Sequence, residues 1–243
     1  MSTKNKKTIV MLPTYNEAEN IKSIIESLLS IKVPNLDIVV ADDNSPDGTW
    51  KIVEEISKKN RNVHLLLRKE QRGRGYGGAA GMQRALDLGA DYIIEMDADF
   101  SHNPEYIPEM LKKLEEYDIV VGSRNVKGGK DTGRSKLREL ISFGANLYIR
   151  TMLGVKLRDC NSGYKAYTRE ALEKINPKSL KASGPDIVQE CLYKAKLNNL
   201  KILEIPIIFE ERHAGKSKLG IKHLINGLLV IIKLRWRKLR GGI

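Results

Sequence analysis

The chain has 243 residues, a formal net charge of +12, 41% hydrophobic and 30% charged residues. That length suits one generous α/β domain with ample core, and the balance excludes a disordered, collagen-like or membrane-embedded chain. The cationic surplus implies an anionic partner, such as nucleic acid, a phosphorylated ligand or membrane headgroups.

Two cysteines, Cys160 and Cys191, are too few for a disulfide scaffold and wrongly spaced for zinc, so they read as free thiols. The basic start lacks a long apolar region and a small-residue cleavage site, so no signal peptide is expected. The longest apolar run, residues 228–232, is far short of the roughly 20 residues a spanning helix needs.

Short β-branched runs over 8–12, 37–41, 63–67, 92–96 and 118–122 predict strands. Between the first two, Ile21, Ile24, Ile25, Leu28 and Leu29 form a helical stripe, opened by an acidic first turn over 17–19. Trp50, Val53 and Ile56 mark a second helix after the turn Ser45-Pro46-Asp47-Gly48, with Ser45 or Asp47 expected to cap it. Met82, Leu86 and Leu88 mark a third, and Ile107, Leu111 and Leu114 a fourth. Alternation of strand and helix argues for βαβ units and a mostly parallel sheet flanked by helices. Further on, residues 134–153 carry a long amphipathic stripe, and residues 202–209 read as one edge strand containing Pro206. Residues 221–239 form a final amphipathic helix, whose stripe Ile221, Leu224, Ile225, Leu228, Leu229, Ile232 runs into Lys233, Arg235, Arg237, Lys238 and Arg240. No Ser/Gly linker or internal repeat marks a second domain, so residues 1–225 read as one unit and 226–243 as a basic tail.

In mostly parallel sheets ligands bind beyond the carboxyl ends of the strands. Three predicted strand ends carry unusual chemistry: Pro13-Thr14-Tyr15-Asn16-Glu17, Asp42-Asp43-Asn44-Ser45-Pro46-Asp47-Gly48, and Asp97-Ala98-Asp99-Phe100-Ser101-His102. Two like charges in Asp97-x-Asp99 are costly unless a cation joins them, and Mg²⁺ or Mn²⁺ takes a few carboxylate oxygens while leaving sites for substrate phosphates. A solvated turn or a helix cap is the plainer account of a lone acidic pair. A carboxylate of Asp42-Asp43 can accept from the N–H edge of a nucleobase, and Tyr15 can pack on base or sugar. The segment Gly73-Arg74-Gly75-Tyr76-Gly77-Gly78 matches G-x-G-x-x-G, but residues 68–72 separate it from the preceding strand. It reads instead as a flexible basic loop bordering a nucleotide site.

These three segments, with Gly122-Ser123-Arg124, Arg138-Glu139-Leu140-Ile141-Ser142, Asp159-Cys160-Asn161-Ser162-Gly163-Tyr164-Lys165 and Arg212-His213-Ala214-Gly215-Lys216-Ser217-Lys218-Leu219-Gly220, resemble glycosyltransferase family 2 over about residues 8–225. Within that family the pattern is most similar to dolichol-phosphate (polyprenyl-phosphate) mannose synthases. The resemblance implies a GT-A fold and inverting hexosyl transfer from GDP-mannose to a dolichyl (polyprenyl) phosphate. It implies Pro13, Tyr15, Glu17, Ala41 and Asp43 at the nucleoside, and Asp97, Ala98 and Asp99 at metal and diphosphate. Ser101 stands as a further metal ligand, and Arg124, Arg212 and Lys218 at phosphates. Arg138 would join Arg124 at the acceptor, and Asp159 reads either as orienting these cations or as a loop residue with local hydrogen bonds. Asp99, Arg124, Arg138, Arg212 and Lys218 carry the catalysis. The cofactor implied is a divalent metal, Mg²⁺ or Mn²⁺. Relatives place an aromatic and a Gln before a Glu where this chain reads Gly184-Pro185-Asp186-Ile187-Val188-Gln189-Glu190, so the aromatic is missing.

A lipid phosphate is already ionised near neutrality, its second pKa being about 6, so it needs steering rather than a protein base. The two amphipathic segments either pack on the sheet or lie on an anionic membrane surface, and the five cations over 233–240 favour the membrane for the second. A cytoplasmic protein peripheral to the membrane's cytoplasmic face, docked directly or through a small membrane-protein partner, is expected. Two alternatives stay open: a UDP-glucose-dependent polyprenyl-phosphate glucosyltransferase, and a non-catalytic nucleic-acid-binding protein. Against the second, no zinc finger, RNA-recognition or helix-turn-helix pattern appears, and the clustered carboxylates would repel nucleic acid.

Overall fold

The computed structural model describes residues 6–133, 135–210 and 229–236. In chain order the first half runs β1 (Thr8–Thr14), α1 (Ile21–Ser30), β2 (Leu36–Asp42), α2 (Thr49–Lys59), β3 (Val63–Leu67), α3 (Arg74–Asp87), β4 (Tyr92–Glu95), α4 (Ile107–Lys113) and β5 (Ile119–Ser123). The second half adds β6 (Lys130–Asp131), α5 (Lys136–Leu153), β7 (Lys165–Thr168), α6 (Arg169–Ile175), α7 (Ile187–Leu197), β8 (Ile202–Pro206) and β9 (Ile208–Phe209). Residues 229–236 are helical.

Seven strands form one sheet in the order β3-β2-β1-β4-β7-β5-β8. All its pairings are parallel except those of β7, which runs antiparallel between β4 and β5. This is the expected mixed α/β architecture with a mostly parallel sheet. The chain leaves β1 towards β2 on one side and reaches β4 on the other, so their carboxyl ends meet at a switch point where ligands bind. One face is covered by α1 and α4, with Ile24, Ile25, Leu28, Ile107 and Met110 fully buried. The other is covered by α3, α6, α7 and the helix at 229–236, through Met82, Leu172, Ile187 and Ile231. No helix among the described residues is long and apolar enough to cross a membrane.

Four local expectations are corrected. Helix α1 starts at Ile21, so residues 17–19 form a turn instead of its first turn. The backbone N–H groups of Glu17 and Ala18 are taken by Thr49 and Asp47 across the loop, which competes with helix. The cap of α2 is Gly48 at φ 87°, and Asp47 accepts instead from the N–H of Thr49. The glycine-rich segment is helix, not loop: α3 begins at Arg74, and its glycines let it lie against β1, where a Cβ on Gly81 would meet Met11 Cγ at 2.5 Å. The strand expected over 202–209 divides at Ile207, which is buried against Gly122, and β9 leaves to pair with β6.

The helical stripes also differ. In the helix at 229–236 Ile231 and Leu234 are buried, while Leu229, Ile232 and Trp236 are exposed. In α5 Leu137, Leu140, Ile141, Phe143 and Leu147 are exposed, and only its far end enters the core through Ile149 and Leu153. The boundary expected at 225–226 lies outside the described residues.

Candidate active site

Asp42 is the hub of the first two strand ends. It is fully buried; Oδ2 accepts from Thr14 Oγ1 at 2.8 Å and Ser45 Oγ at 2.7 Å, while Oδ1 accepts from Ser45 N at 2.8 Å. Asp42 is therefore a structural knot, and it leaves Asp43 as the carboxylate of that end. Asp43 Oδ2 accepts from Gly73 N at 2.6 Å, and Oδ1 pairs with Arg68, whose second amino group donates to Gln71 O at 2.7 Å. Burial opposes ionisation of Asp47, but hydrogen bonds from Thr49 and Ala18 outweigh it and lower its pKa. Beside these loops Tyr15, Asn44, Ser45, Pro46, Gly48, Trp50, Lys51 and Arg72 line a cavity of about 350 Å³. Tyr15 is 46% exposed there, with Pro13 and Glu17 half-buried nearby in sequence. Ala41 and Ala98 are buried, so neither offers its side chain to a ligand.

The third strand end is built on charge. Asp97 Oδ1 accepts from Arg74 Nη2 at 2.9 Å, and Arg74 Nη1 reaches Glu95 Oε1 at 3.3 Å. Glu95 Oε2 in turn accepts from Lys165 Nζ and Tyr167 Oη, both at 3.2 Å, in the buried core. Asp99 Oδ1 accepts from Ser101 N at 3.1 Å and Ser101 Oγ at 2.6 Å. Ser101 and Asp99 are both buried, and the Ser101 hydroxyl positions Asp99 through that hydrogen bond. Phe100 between them adopts a left-handed φ of 63°, a conformation that bulky residues avoid and that tight functional turns sustain. His102 Nδ1 accepts the backbone N–H of Asp97 at 3.0 Å, which puts the ring proton on Nε2. Burial lowers the His102 pKa and keeps the ring neutral.

The cationic side lies across an aromatic wall. His102 stacks on Tyr164 at 5.0 Å and meets the Phe209 ring edge-on at 5.4 Å, while the Arg124 guanidinium lies 5.1 Å from the centre of that ring. Arg124 Nε and Nη2 donate to the two oxygens of Asp159 at 2.7 and 2.8 Å, and its Nη1 lies 3.8 Å from Asp131 Oδ2. Asp159 is buried; burial works against its charge, but the Arg124 hydrogen bonds overcome that and lower its pKa. Arg138 is exposed on the first turn of α5, its N–H directed at the cap Ser135. Arg212 and Lys218 lie outside the described residues.

Among the described residues no three His, Cys, Asp or Glu side chains converge to enclose a metal ion. Two carboxylates of hard oxygen, Asp97 and Asp99, nonetheless fit the incomplete protein set that Mg²⁺ or Mn²⁺ uses when substrate phosphates complete the shell.

The sequence model described as Glycosyl transferase family 2 matches residues 9–176. The chain belongs to that family. Over 241 residues it is 35% identical to the undecaprenyl-phosphate mannosyltransferase of Micrococcus luteus, covering 98% of this chain and 99% of the relative. It is 37% identical to the polyprenol monophosphomannose synthase of Mycolicibacterium smegmatis, over 88% and 81% of the two chains. With the dolichol-phosphate mannosyltransferase of Pyrococcus furiosus it shares 36% identity over 95% of this chain and 64% of the other. A crystal structure of glucosyl-3-phosphoglycerate synthase from Mycobacterium tuberculosis, with Mn²⁺, UDP and glucosyl-3-phosphoglycerate, superposes with a TM-score of 0.66 at 20% identity, over 95% and 78% of the chains. The fold is thus that of the GT-A-like members of the family.

The motif residues of this family-2 chain draw in partners that spacing did not reveal: Arg68, Arg74, Glu95, Asp131, Lys165 and Phe209. Arg74 was hidden inside a glycine pattern, and Lys165 stood in a motif that gave no sign of its pairing with Glu95. Glu95 carried a signal, since a charged residue inside an otherwise apolar strand run needs a buried partner. Glu190, which matches the family pattern, accepts from Lys181 N at 3.0 Å and Ala182 N at 2.8 Å, so it ties down its own loop.

Proposed function

We propose that this chain transfers a mannosyl residue from GDP-mannose to a dolichyl or other polyprenyl phosphate, with inversion at the sugar's anomeric carbon. The observation that carries this is the placing of an acidic strand end, Asp97 and Asp99, and the carboxylate-held guanidinium of Arg124 on either side of the His102–Phe209 wall. A diphosphate leaving group suits the first and an acceptor phosphate the second. The near end-to-end match to an undecaprenyl-phosphate mannosyltransferase supports mannose and a polyprenyl acceptor.

Tyr15 and the cavity beside Trp50 receive the nucleoside, with Asp43 facing its base. Asp97 and Asp99 hold the divalent ion, with Ser101 fixing Asp99. When bound, that ion neutralises charge on the departing diphosphate. Arg124 lends positive charge to the acceptor; Asp159 occupies two of its donors and Asp131 stands 3.8 Å from Nη1, so it acts as an oriented charge held between two carboxylates. Arg138, Arg212 and Lys218 supply the remaining cations. The ionised acceptor phosphate attacks directly, and no carboxylate need accept a proton.

The exposed apolar row of α5, with Leu229, Ile232 and Trp236, is proposed to rest on the lipid surface that holds the acceptor. The cations over 233–240 complement anionic headgroups at that surface. The deciding experiment offers GDP-mannose, UDP-glucose and UDP-mannose with polyprenyl phosphate and Mg²⁺ or Mn²⁺, and identifies the glycolipid by mass spectrometry. Polyprenyl-phosphate mannose formed from GDP-mannose is expected; glucolipid from UDP-glucose alone would replace the donor, and no glycolipid from any donor would refute the proposal.

A further inference from the structure

Arg74 stands in the wrong place for a helix. It is the first residue of α3, where the helix dipole is positive and a cation is disfavoured. It is held there by Asp97 and Glu95 at 2.9 and 3.3 Å. Two glycines, one on α3 and one in the loop before β7, lie against its guanidinium. A Cβ on Gly78, one turn along α3, would stand 3.4 Å from Arg74 Nη1, and a Cβ on Gly163 would stand 3.4 Å from Nη2. The same Gly163 Cβ would lie 3.5 Å from Asp97 Oδ2, so the seat is shared by guanidinium and carboxylate. Glu95 does not depend on Arg74 alone, because Lys165 and Tyr167 also donate to it. Arg74 therefore bridges two strand-end carboxylates, and Asp97 is the closer of the two.

We propose that Arg74 is a positioning residue that makes divalent-ion binding conditional on the donor's diphosphate, which rests on the reading of Asp97 and Asp99 as the metal-holding pair. With no donor present the guanidinium neutralises Asp97, and a divalent ion arriving there meets a like charge beside its ligand. The negative diphosphate removes that conflict, since it can neutralise both cations. The ion and the donor then bind together, and an ion without a leaving group is not retained.

The test is a titration of the full chain with Mn²⁺, followed by the electron paramagnetic resonance signal of the free ion, with and without GDP or UDP. Without nucleotide Arg74→Gln binds Mn²⁺ at least about tenfold more tightly than the unaltered chain, the scale of one neighbouring like charge. Arg74→Lys, which keeps the charge, stays within about threefold of the unaltered chain. Nucleotide tightens Mn²⁺ binding by a much larger factor in the unaltered chain than in Arg74→Gln, and by linkage Mn²⁺ tightens the nucleotide equally. A natively folded Arg74→Gln with unchanged or weaker Mn²⁺ affinity overturns the role of Arg74 and leaves the metal assignment standing. Should that variant not fold, the unaltered chain decides: equal Mn²⁺ affinity with and without nucleotide refutes the coupling. Failure of the unaltered chain to bind Mn²⁺ under any of these conditions refutes the metal pair itself, and the proposal with it.

Discussion

Asp159 grips Arg124 through both carboxylate oxygens, at 2.7 and 2.8 Å, and also accepts the backbone N–H of Arg124 at 3.2 Å. The pair links the end of β5 to the loop before β7. That loop is tied to α5 as well, because Asn146 Oδ1 accepts from Cys160 N at 2.8 Å. The helix with the exposed apolar row and the cation proposed for the acceptor are thus two hydrogen-bonded steps apart.

Replacing Asp159 by Asn should leave the buried Arg124 guanidinium without its closest counter-charge, Asp131 lying 3.8 Å off, at a cost of up to about 3–5 kcal/mol. The folded pKa of Asp159 is lowered, so its contribution is present above the unfolded Asp value of about 3.9 and is lost as pH falls below that towards the folded value. Thermal unfolding followed across pH 2.5–7 should therefore show a smaller loss at low pH in Asp159→Asn than in the unaltered chain. An acid limb of equal size in both proteins would mean that this pair does not carry the linkage.

Asp99→Asn should reduce metal-dependent transfer by on the order of 10²-fold or more while keeping the fold, since the proposed metal pair would lose one charged ligand. Rates measured at subsaturating metal, with circular dichroism as the control, check this. Ser101→Ala should cost less, because it removes the hydrogen bond that holds Asp99 and leaves the carboxylate in place. Near-native turnover by folded Asp99→Asn would dismiss the metal pair.

Leu140→Ser and Phe143→Ser together should weaken binding to anionic liposomes by about tenfold or more, since each exposed side chain would otherwise bury apolar area in lipid. Transfer to a short, detergent-soluble acceptor phosphate should stay near that of the unaltered chain. Sedimentation with vesicles at low salt and a soluble-acceptor assay separate the two effects, and unchanged sedimentation would place the docking surface elsewhere.

Strand ends were legible because period and composition mark them: β3 was expected and found at 63–67, and the acidic ends of β2 and β4 stood out by charge. Division of labour within those ends was not. Nothing in Asp42-Asp43 says that the first carboxylate is spent on Thr14 and Ser45 while the second meets Arg68 and Gly73, since those partners lie on other elements. The glycines of α3 were misleading for a similar reason. Their helix propensity is poor, but close packing on β1, which no local pattern encodes, decides the conformation. The stripe of α5 showed its period and not its neighbour, because a lipid-facing row and a core-facing row read alike.

The proton inventory of the site gives the last prediction. Among the described residues the carboxylates around the site stand against partners: Asp43 with Arg68, Asp97 with Arg74, Asp99 with Ser101, Asp159 with Arg124, and Asp131 3.8 Å from Arg124 Nη1. His102 spends Nδ1 on the Asp97 backbone. None is placed as a base, and a phosphate acceptor with a second pKa of about 6 needs none. The acid limb of kcat/KM should therefore follow the acceptor: activity rises with pH as the phosphate loses its second proton, and falls below about pH 6. An acceptor phosphonate of higher pKa should carry the limb upwards by the same difference. A limb that stays fixed while the acceptor pKa moves would show that a group of the enzyme is titrating, and direct attack by the ionised phosphate would then be wrong.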